Sequence, residues 1–568
     1  MHIDVVPNRN SRPAYLLRES YREGKKVRKR TLANLSSLSD EQLTAIRAIL
    51  QGQQLRPVEA LFEAIESRPQ GHVEAVRVAM SKLGFQWLLA ARSSRERDLI
   101  AAMVAARILA PHTKLATTRW WHTTTLAEDF GVADADEDEL YTAMDWLLKR
   151  QPTIERKLAA RHLEAGGLVL YDLSSSYFEG STCPLARLGY NRDGKRGKRQ
   201  VNYGLLTDAR GCPVAVSVYE GNTSDPETLM PEIDRLREAF DLQQLVMVGD
   251  RGMISHKAIE TLREQSGVGW ISALKSVSIR SLVKQGHLQL DLFDERNLFE
   301  LAHPDYPGER LVACRNPQLA KRRAYKREAL LEATEKNLGK VRQAVATGRL
   351  KGQDKIGVRV GKVVNQYKVA KHFVLTISDS VFSFRRDAES IAAEAALDGL
   401  YVIRTSVSAE QMDSAECVRR YKSLAQVERA FRTLKGVDLK IRPIHHRLAD
   451  RVRAHIFLCM LAYYVEWHMR EAWRPLLFAD EDQQAKRTRD PVAPAKRSRA
   501  AERKAATHTL DNGEPAHSFT TLIAELSNVV RNTCRTPSSK PDTPTFKVVT
   551  IPNPTQQRAR DLLQQMIV

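Results

Sequence analysis

Three carboxylates stand in surroundings that make them costly unless they are paired, hydrogen-bonded or metal-bound. Asp172 lies inside the apolar run Leu168-Val169-Leu170-Tyr171-Asp172-Leu173-Ser174. Asp250 stands where the run Leu245-Val246-Met247-Val248-Gly249 ends, just ahead of Arg251-Gly252. Glu428 sits midway between Tyr421 and Lys435, seven residues from each. At about 100° per residue, seven residues are nearly two turns, so the spacing predicts all three on one face of one helix. Carboxylates offer hard oxygen ligands to a divalent cation, and a flanking phenol and ammonium suit a phosphate. Each residue also has an ordinary reading. Asp172 could face outward or accept bonds from Ser174 to Ser176, and Asp250 could cap a helix or pair with Arg251. Glu428 could pair with Arg432 at i,i+4.

The elements that must carry these groups follow from pattern. Residues 168–174, 200–207 and 213–219 read as three strands, with Asp208-Ala209-Arg210-Gly211 as a tight turn between the second and third. Ser224 to Glu227 is a capping box that opens a helix to about Phe240. Residues 245–249 are a fourth strand, a helix follows at about 254–265, and 269–273 are a fifth strand. This order is that of an α/β fold with a ribonuclease-H-like mixed sheet. It carries one carboxylate on its first strand and one at the tip of its fourth.

Around that core we expect four further regions. Residues 1–37 read as a small basic β unit and 38–165 as a helical DNA-binding region. The core runs over 166–275, is interrupted at 276–407 by an inserted α+β subdomain, and resumes over 408–478. Residues 479–568 read as a basic linker and C-terminal tail, with Lys486 to Lys504 flexible and a short helix near 518–531.

Composition narrows the class. The 568 residues include 88 Lys and Arg against 68 Asp and Glu, a formal charge of +20, with pI near 9.7. Such a balance favours a polyanionic partner, and nucleic acid is the commonest. The longest clean apolar run, Ile456 to Val465, is ten residues, against about 20 for a membrane span. No secretion signal is seen at Met1-His2-Ile3-Asp4. Six cysteines are scattered with no Cys-x-x-Cys pair, so neither a disulfide scaffold nor a structural zinc site is expected. No phosphate-binding Gly-x4-Gly-Lys-Ser/Thr loop appears. The reading is a soluble, cytoplasmic chain.

Together these residues resemble the signature of DDE transposases from bacterial insertion sequences. The branch resembled carries Tyr-x2-Arg-x3-Glu-x6-Lys in its last catalytic helix, and Tyr421, Glu428 and Lys435 stand in register with it. Leu424 stands where that motif has Arg, and Arg420 or Arg429 could supply the missing cation. The stretches Tyr171-Asp172-Leu173-Ser174, Gly221-Asn222-Thr223-Ser224-Asp225, Val248-Gly249-Asp250-Arg251-Gly252 and Arg442-Pro443-Ile444-His445-His446-Arg447 are similar to that family too.

The resemblance implies that Asp172, Asp250 and Glu428 are catalytic and hold two Mg²⁺ ions, with Mn²⁺ able to substitute. It implies hydrolysis at transposon ends followed by transfer of the 3′-hydroxyl into target DNA. Partners would be double-stranded DNA, as terminal inverted repeats and target, and a second copy of the chain in a synaptic complex on the nucleoid. Tyr421, Lys435 and Arg251 are expected to hold DNA. So are Lys195, Arg196, Lys198 and Arg199 of the basic loop Arg192 to Arg199, for which a solvated loop is the other reading. Glu179 and Glu220 do not align with the motif. His445, His446 and His455 read as packing or phosphate contacts, not metal ligands. A nuclease without strand transfer, or a DNA-binding protein descended from a transposase, would share most of these features.

Overall fold

The computed structural model describes residues 1–9, 11–53, 61–289, 293, 297–482, 489–493, 497–537 and 544–567. The chain divides into two units, Met1–Arg68 with Val529–Ile551, and Pro69–Asn528 with Pro552–Val568.

In the first unit, β1 (His2–Val6), β2 (Ala14–Glu23) and β3 (Lys26–Asn34) form an antiparallel meander. The helix Asp40–Leu50 begins at a full capping box between Ser39 and Gln42. A second sheet joins β4 (Glu63–Pro69) to two strands from the far end of the chain, β15 (Val530–Arg535) and β16 (Thr545–Val549). The β unit therefore extends well past residue 37, and the tail supplies part of it. β15 is mostly polar and half-buried, and β16 is exposed at every position, so neither shows an alternation of buried apolar and exposed polar residues to read.

The second unit is built on an eight-stranded sheet. Its first five strands are β5 (Leu168–Tyr177), β6 (Gln200–Thr207), β7 (Pro213–Glu220), β8 (Leu245–Val248) and β9 (Val268–Ala273). β5, β6 and β7 pair antiparallel, whereas β8 runs parallel to β5 and β9 parallel to β8. This is the ribonuclease-H-like order expected from sequence. The sheet does not stop at residue 275, however. β10 (Leu298–Leu301), β11 (Arg310–Arg315) and β14 (Leu400–Thr405) continue it, β14 pairing antiparallel to β9 through Ile403 and Ala273. The expected insertion carries one small core on the extended sheet, with Ile279, Leu282, Phe299 and Leu400, and a separate core in its middle. There the helices Pro317–Ala346 and Gln353–Gln366 pack Leu331, Leu338, Ile356 and Val360 against Phe373 of β12 (Phe373–Ile377) and Phe382 of β13 (Phe382–Arg386).

The helices from residue 69 onward share the core of the sheet and do not form a separate region. Helices Arg95–Leu109 and Glu137–His162 pack on the long helix Ala449–Ala472, which itself lies against β7. That long helix is buried from Val452 to Met469 on nearly every side, which is why its sequence is apolar all round. Trp121 is completely buried here, and its neighbour Trp120 packs half-buried against the same core. Residues 486–488 and 494–496 of the expected flexible stretch lie outside the described residues. Arg499–Thr507 is a helix capped by Ser498, with Lys504 buried and donating to the carbonyl of Pro475. Among the described residues no single helix is long and apolar enough to cross a membrane.

Candidate active site

Strand pairing sets the first two carboxylates side by side. Leu170 of β5 pairs with Val248 of β8. Asp172 and Asp250 each follow two residues later, just past the point where the two strands stop pairing, Asp172 in the middle of β5 and Asp250 beyond the end of β8. Adjacent strands lie about 4.8 Å apart, and such strand ends are where open α/β sheets hold ligands. The strand places Tyr171 on the opposite face, where its hydroxyl covers Gly204; a Cβ at Gly204 would stand 2.2 Å from that oxygen.

The third carboxylate comes from above the same face. Asp172, Ser174 and Ser176 alternate onto one face, and their neighbour Tyr203, opposite Ser174, shares it. Tyr203 bonds Ser176 at 2.9 Å and meets the ring of Phe431 edge-on, 5.8 Å between centroids. Phe431 belongs to the helix Leu424–Arg432, which packs on β5. Glu428 lies one turn earlier on that helix, exposed and with no ion pair to Arg432. Gly211 seats the helix from the other side, because a Cβ there would fall 2.6 Å from the Cβ of Gln426.

The helix is not continuous. Ser414–Lys422 ends at Ser423, whose hydroxyl donates to the carbonyl of Arg420 at 2.5 Å. Leu424–Arg432 follows, and then a π-helical turn, Thr433–Val437. The extra residue of a π turn changes the phase, so the single face expected for Tyr421, Glu428 and Lys435 is broken. Tyr421 stays with the carboxylates. Burial raises its phenol pKa, Asp250 and Glu428 adding to the rise and Arg251 opposing it. Lys435 turns to Asp193 instead, at 3.2 Å.

Electrostatics mark the pair. Burial, then the charge of Asp250, push the Asp172 carboxyl up to about 7. Asp172 accepts one bond, from its neighbour Leu173 N–H at 2.8 Å. Asp250 Oδ1 accepts from the Gly252 and Met253 N–H groups at 2.9 and 2.8 Å and so closes a turn, while the helix that follows, His256–Arg263, is capped by Ser255 instead. Among the described residues the three carboxylates do not gather within 4.8 Å of one another. Like charges at one site repel, and a divalent cation among them would remove that repulsion.

Sequence reasoning missed the acid that organises the basic loop. Asp193 is almost fully buried, accepts from the Tyr177 N–H at 3.0 Å, and pairs with both Lys435 and Arg442. Its signal was a lone acid among cations in Arg192-Asp193-Gly194-Lys195, following Asn191, whose Oδ1 accepts from the Asp193 and Lys195 N–H groups. Arg192 pairs with Asp225 and faces Asp172. Lys198 pairs with Glu179 at 2.8 Å, Arg199 donates to the Ser181 carbonyl, and Lys195 lies over the Tyr177 ring. Arg196 is exposed and has no ion-pair partner among the described residues. Glu220 is paired with Arg187. Arg420 is committed to Glu416, leaving Arg251 as the cation beside Tyr421. The rings of His446 and His455 lie 5.0 Å apart at a tilt of 54°, and burial lowers both, His446 to about 3.

A family profile described as the transposase DDE domain matches residues 175–465, just over half of the chain. The chain belongs to the DDE transposases. Asp250 and Glu428 fall inside the matched span, and Asp172 stands just before its start. A second profile, the N-terminal domain of IS1634 family transposases, matches residues 3–60, within the first unit. No curated protein sequence matches the chain. Among solved structures, a piggyBac transposase synaptic complex with hairpin DNA is similar at 9% identity and a TM-score of 0.33, covering 80% of this chain and 77% of that one.

This transposase is thus an enzyme of metal-dependent DNA cleavage and transfer. Its carboxylates fit a divalent ion: all donors are hard oxygens, Asp172 keeps unshared lone pairs, and among the described residues Glu428 has no ion-pair partner.

Proposed function

We propose that this transposase moves its element by cut-and-paste, with Asp172, Asp250 and Glu428 as the ligands of two Mg²⁺ ions, replaceable by Mn²⁺. The observation that carries this reading is the matched position of Asp172 and Asp250 beneath the Glu428 helix. Bound there, two such ions would activate the entering oxygen and stabilise the leaving one in an in-line displacement.

The chain's own residues do the rest. Asp172, half-buried on a central strand, fixes one ligand position rigidly. Asp250 is fixed by its turn, and Glu428 can approach from an exposed helix face. Tyr421 and Arg251 hold the backbone of the cut strand, and Arg196, with Lys195, Lys198 and Arg199, meets flanking phosphates. Lys435 acts through Asp193, setting the loop that carries those cations. The spacing of Tyr421, Glu428 and Lys435 supports a place in the Tyr-Arg-Glu-Lys branch despite Leu424. The same reading includes a homodimer on paired terminal inverted repeats, working on the nucleoid.

The test is Mg²⁺-dependent cleavage of DNA carrying the element's own ends, followed by joining of pre-cut 3′-hydroxyl ends to target. Cleavage without joining would make the chain a nuclease. Binding without either would make it a DNA-binding descendant.

A further inference from the structure

Three residues outside the carboxylate centre converge in a way no spacing in the sequence discloses. His162 is the last residue of the helix Glu137–His162, Cys212 follows the β6–β7 turn, and His468 lies in the long helix Ala449–Ala472. One ligand atom from each lies within 4.8 Å of the other two. Cys212 and His468 are buried, and His162 is half-buried. We propose that His162, Cys212 and His468 bind a single Zn²⁺ ion that clasps the β6–β7 turn to two helices.

The distances suit that ion. Zinc holds sulfur at about 2.3 Å and nitrogen at about 2.0–2.1 Å in a tetrahedron, which sets the two atoms about 3.5 Å apart. Cys212 Sγ and His468 Nε2 are 3.7 Å apart. Sulfur and imidazole nitrogen select zinc over magnesium, so the site differs in kind from the oxygen donors of Asp172, Asp250 and Glu428.

The surroundings orient the ligands. His162 Nε2 meets the Tyr464 hydroxyl at 3.0 Å. With Nε2–H donating there, the Nδ1 lone pair is left for the metal. Arg210 reaches Nδ1 only at 3.5 Å and keeps its own partner, Asp208, at 2.8 Å. Arg161 also faces the site, donating to Tyr464 at 3.0 Å. The positive pair Arg161 and Arg210 is set against Asp208 and Glu471. Binding would release the Cys212 thiol proton to solvent and leave a zinc-bound thiolate. The fourth position stays open to water. Because Gly211 packs on Gln426, the clasp would also steady the helix bearing Glu428.

The full-length chain, stripped with chelator, is titrated with Co²⁺ and read by absorbance. One equivalent should give a thiolate-to-cobalt charge-transfer band and intense tetrahedral d–d bands, both displaced by Zn²⁺. The bands should persist in Asp172→Asn, which separates this site from the carboxylate centre. They should vanish in Cys212→Ser, and His162→Gln should weaken Co²⁺ affinity at least tenfold. Circular dichroism checks the fold, and the half-buried His162 variant stands in if Cys212→Ser fails to fold. No charge-transfer band in the wild type would overturn the proposal, as would one unchanged in both variants.

Discussion

Asp172 and Asp250 occupy equivalent positions on neighbouring parallel strands, each two residues beyond the paired Leu170 and Val248. Two carboxylates so placed repel, and Asp172 bears that repulsion in a half-buried setting. Asp172→Asn, Asp250→Asn and Glu428→Gln should each fold yet lose end cleavage and strand transfer by more than about a hundredfold. Mg²⁺ should raise the melting temperature of the wild type and do so much less in Asp172→Asn. Full activity in any of the three would remove that residue from the site.

The sheet and two of its carboxylates were readable because buried strands announce themselves. Residues 168–174 and 245–249 are continuous apolar runs, and an acid within or at the end of one is conspicuous. The helix break at Ser423 and the π turn at Thr433–Val437 were not, because nothing in Leu424 to Lys435 violates helical periodicity. Tertiary contacts, chiefly Asp193 with Lys435, set that geometry. Nor could sequence reveal that β10, β11 and β14 extend the core sheet, since pairing partners over such separations leave no local trace. The pairing of Lys435 with Asp193 is the contact that spacing alone could not show.

Asp193 is the fastening of the basic loop. It accepts from the Tyr177 backbone and pairs with Lys435 and Arg442 while almost fully buried. Asp193→Asn strands two cations, and breaking a buried pair costs about 3 kcal/mol. Urea unfolding should show that loss. Limited trypsin digestion should cut faster at Lys195 and Arg196 in the variant. An unchanged digestion pattern would mean that the loop is held by other contacts.

Arg196 and Lys198 provide a matched comparison within one loop. Arg196 is exposed without an ion-pair partner among the described residues, whereas Lys198 is tied to Glu179. A cation that neutralises one phosphate contributes about 0.9 to the slope of log K against log salt. Arg196→Ala should lower that slope by roughly this amount and weaken binding to all duplex sequences alike. Lys198→Ala should change it less. Equal slopes for wild type and Arg196→Ala would place the loop away from DNA.

Lys114 gives a pH prediction independent of the metal centre. It is 5% exposed, beside Arg107, and has no ion-pair partner among the described residues. Burial, with Arg107 adding, pulls its ammonium from an ordinary 10.5 to about 7. Between those values the unfolded chain holds a proton that the folded chain has lost, so this group's cost falls as pH rises from about 7 towards 10.5. Below about 7 both states are charged and the full penalty remains, on the order of 5 kcal/mol. Lys114→Met should therefore stabilise the protein most at pH 6 and progressively less towards pH 10. Denaturant melts of both proteins across that range measure the difference. A stability gap that stays constant with pH, or a variant weaker throughout, would show that Lys114 keeps its proton by contacts that make it worth burying.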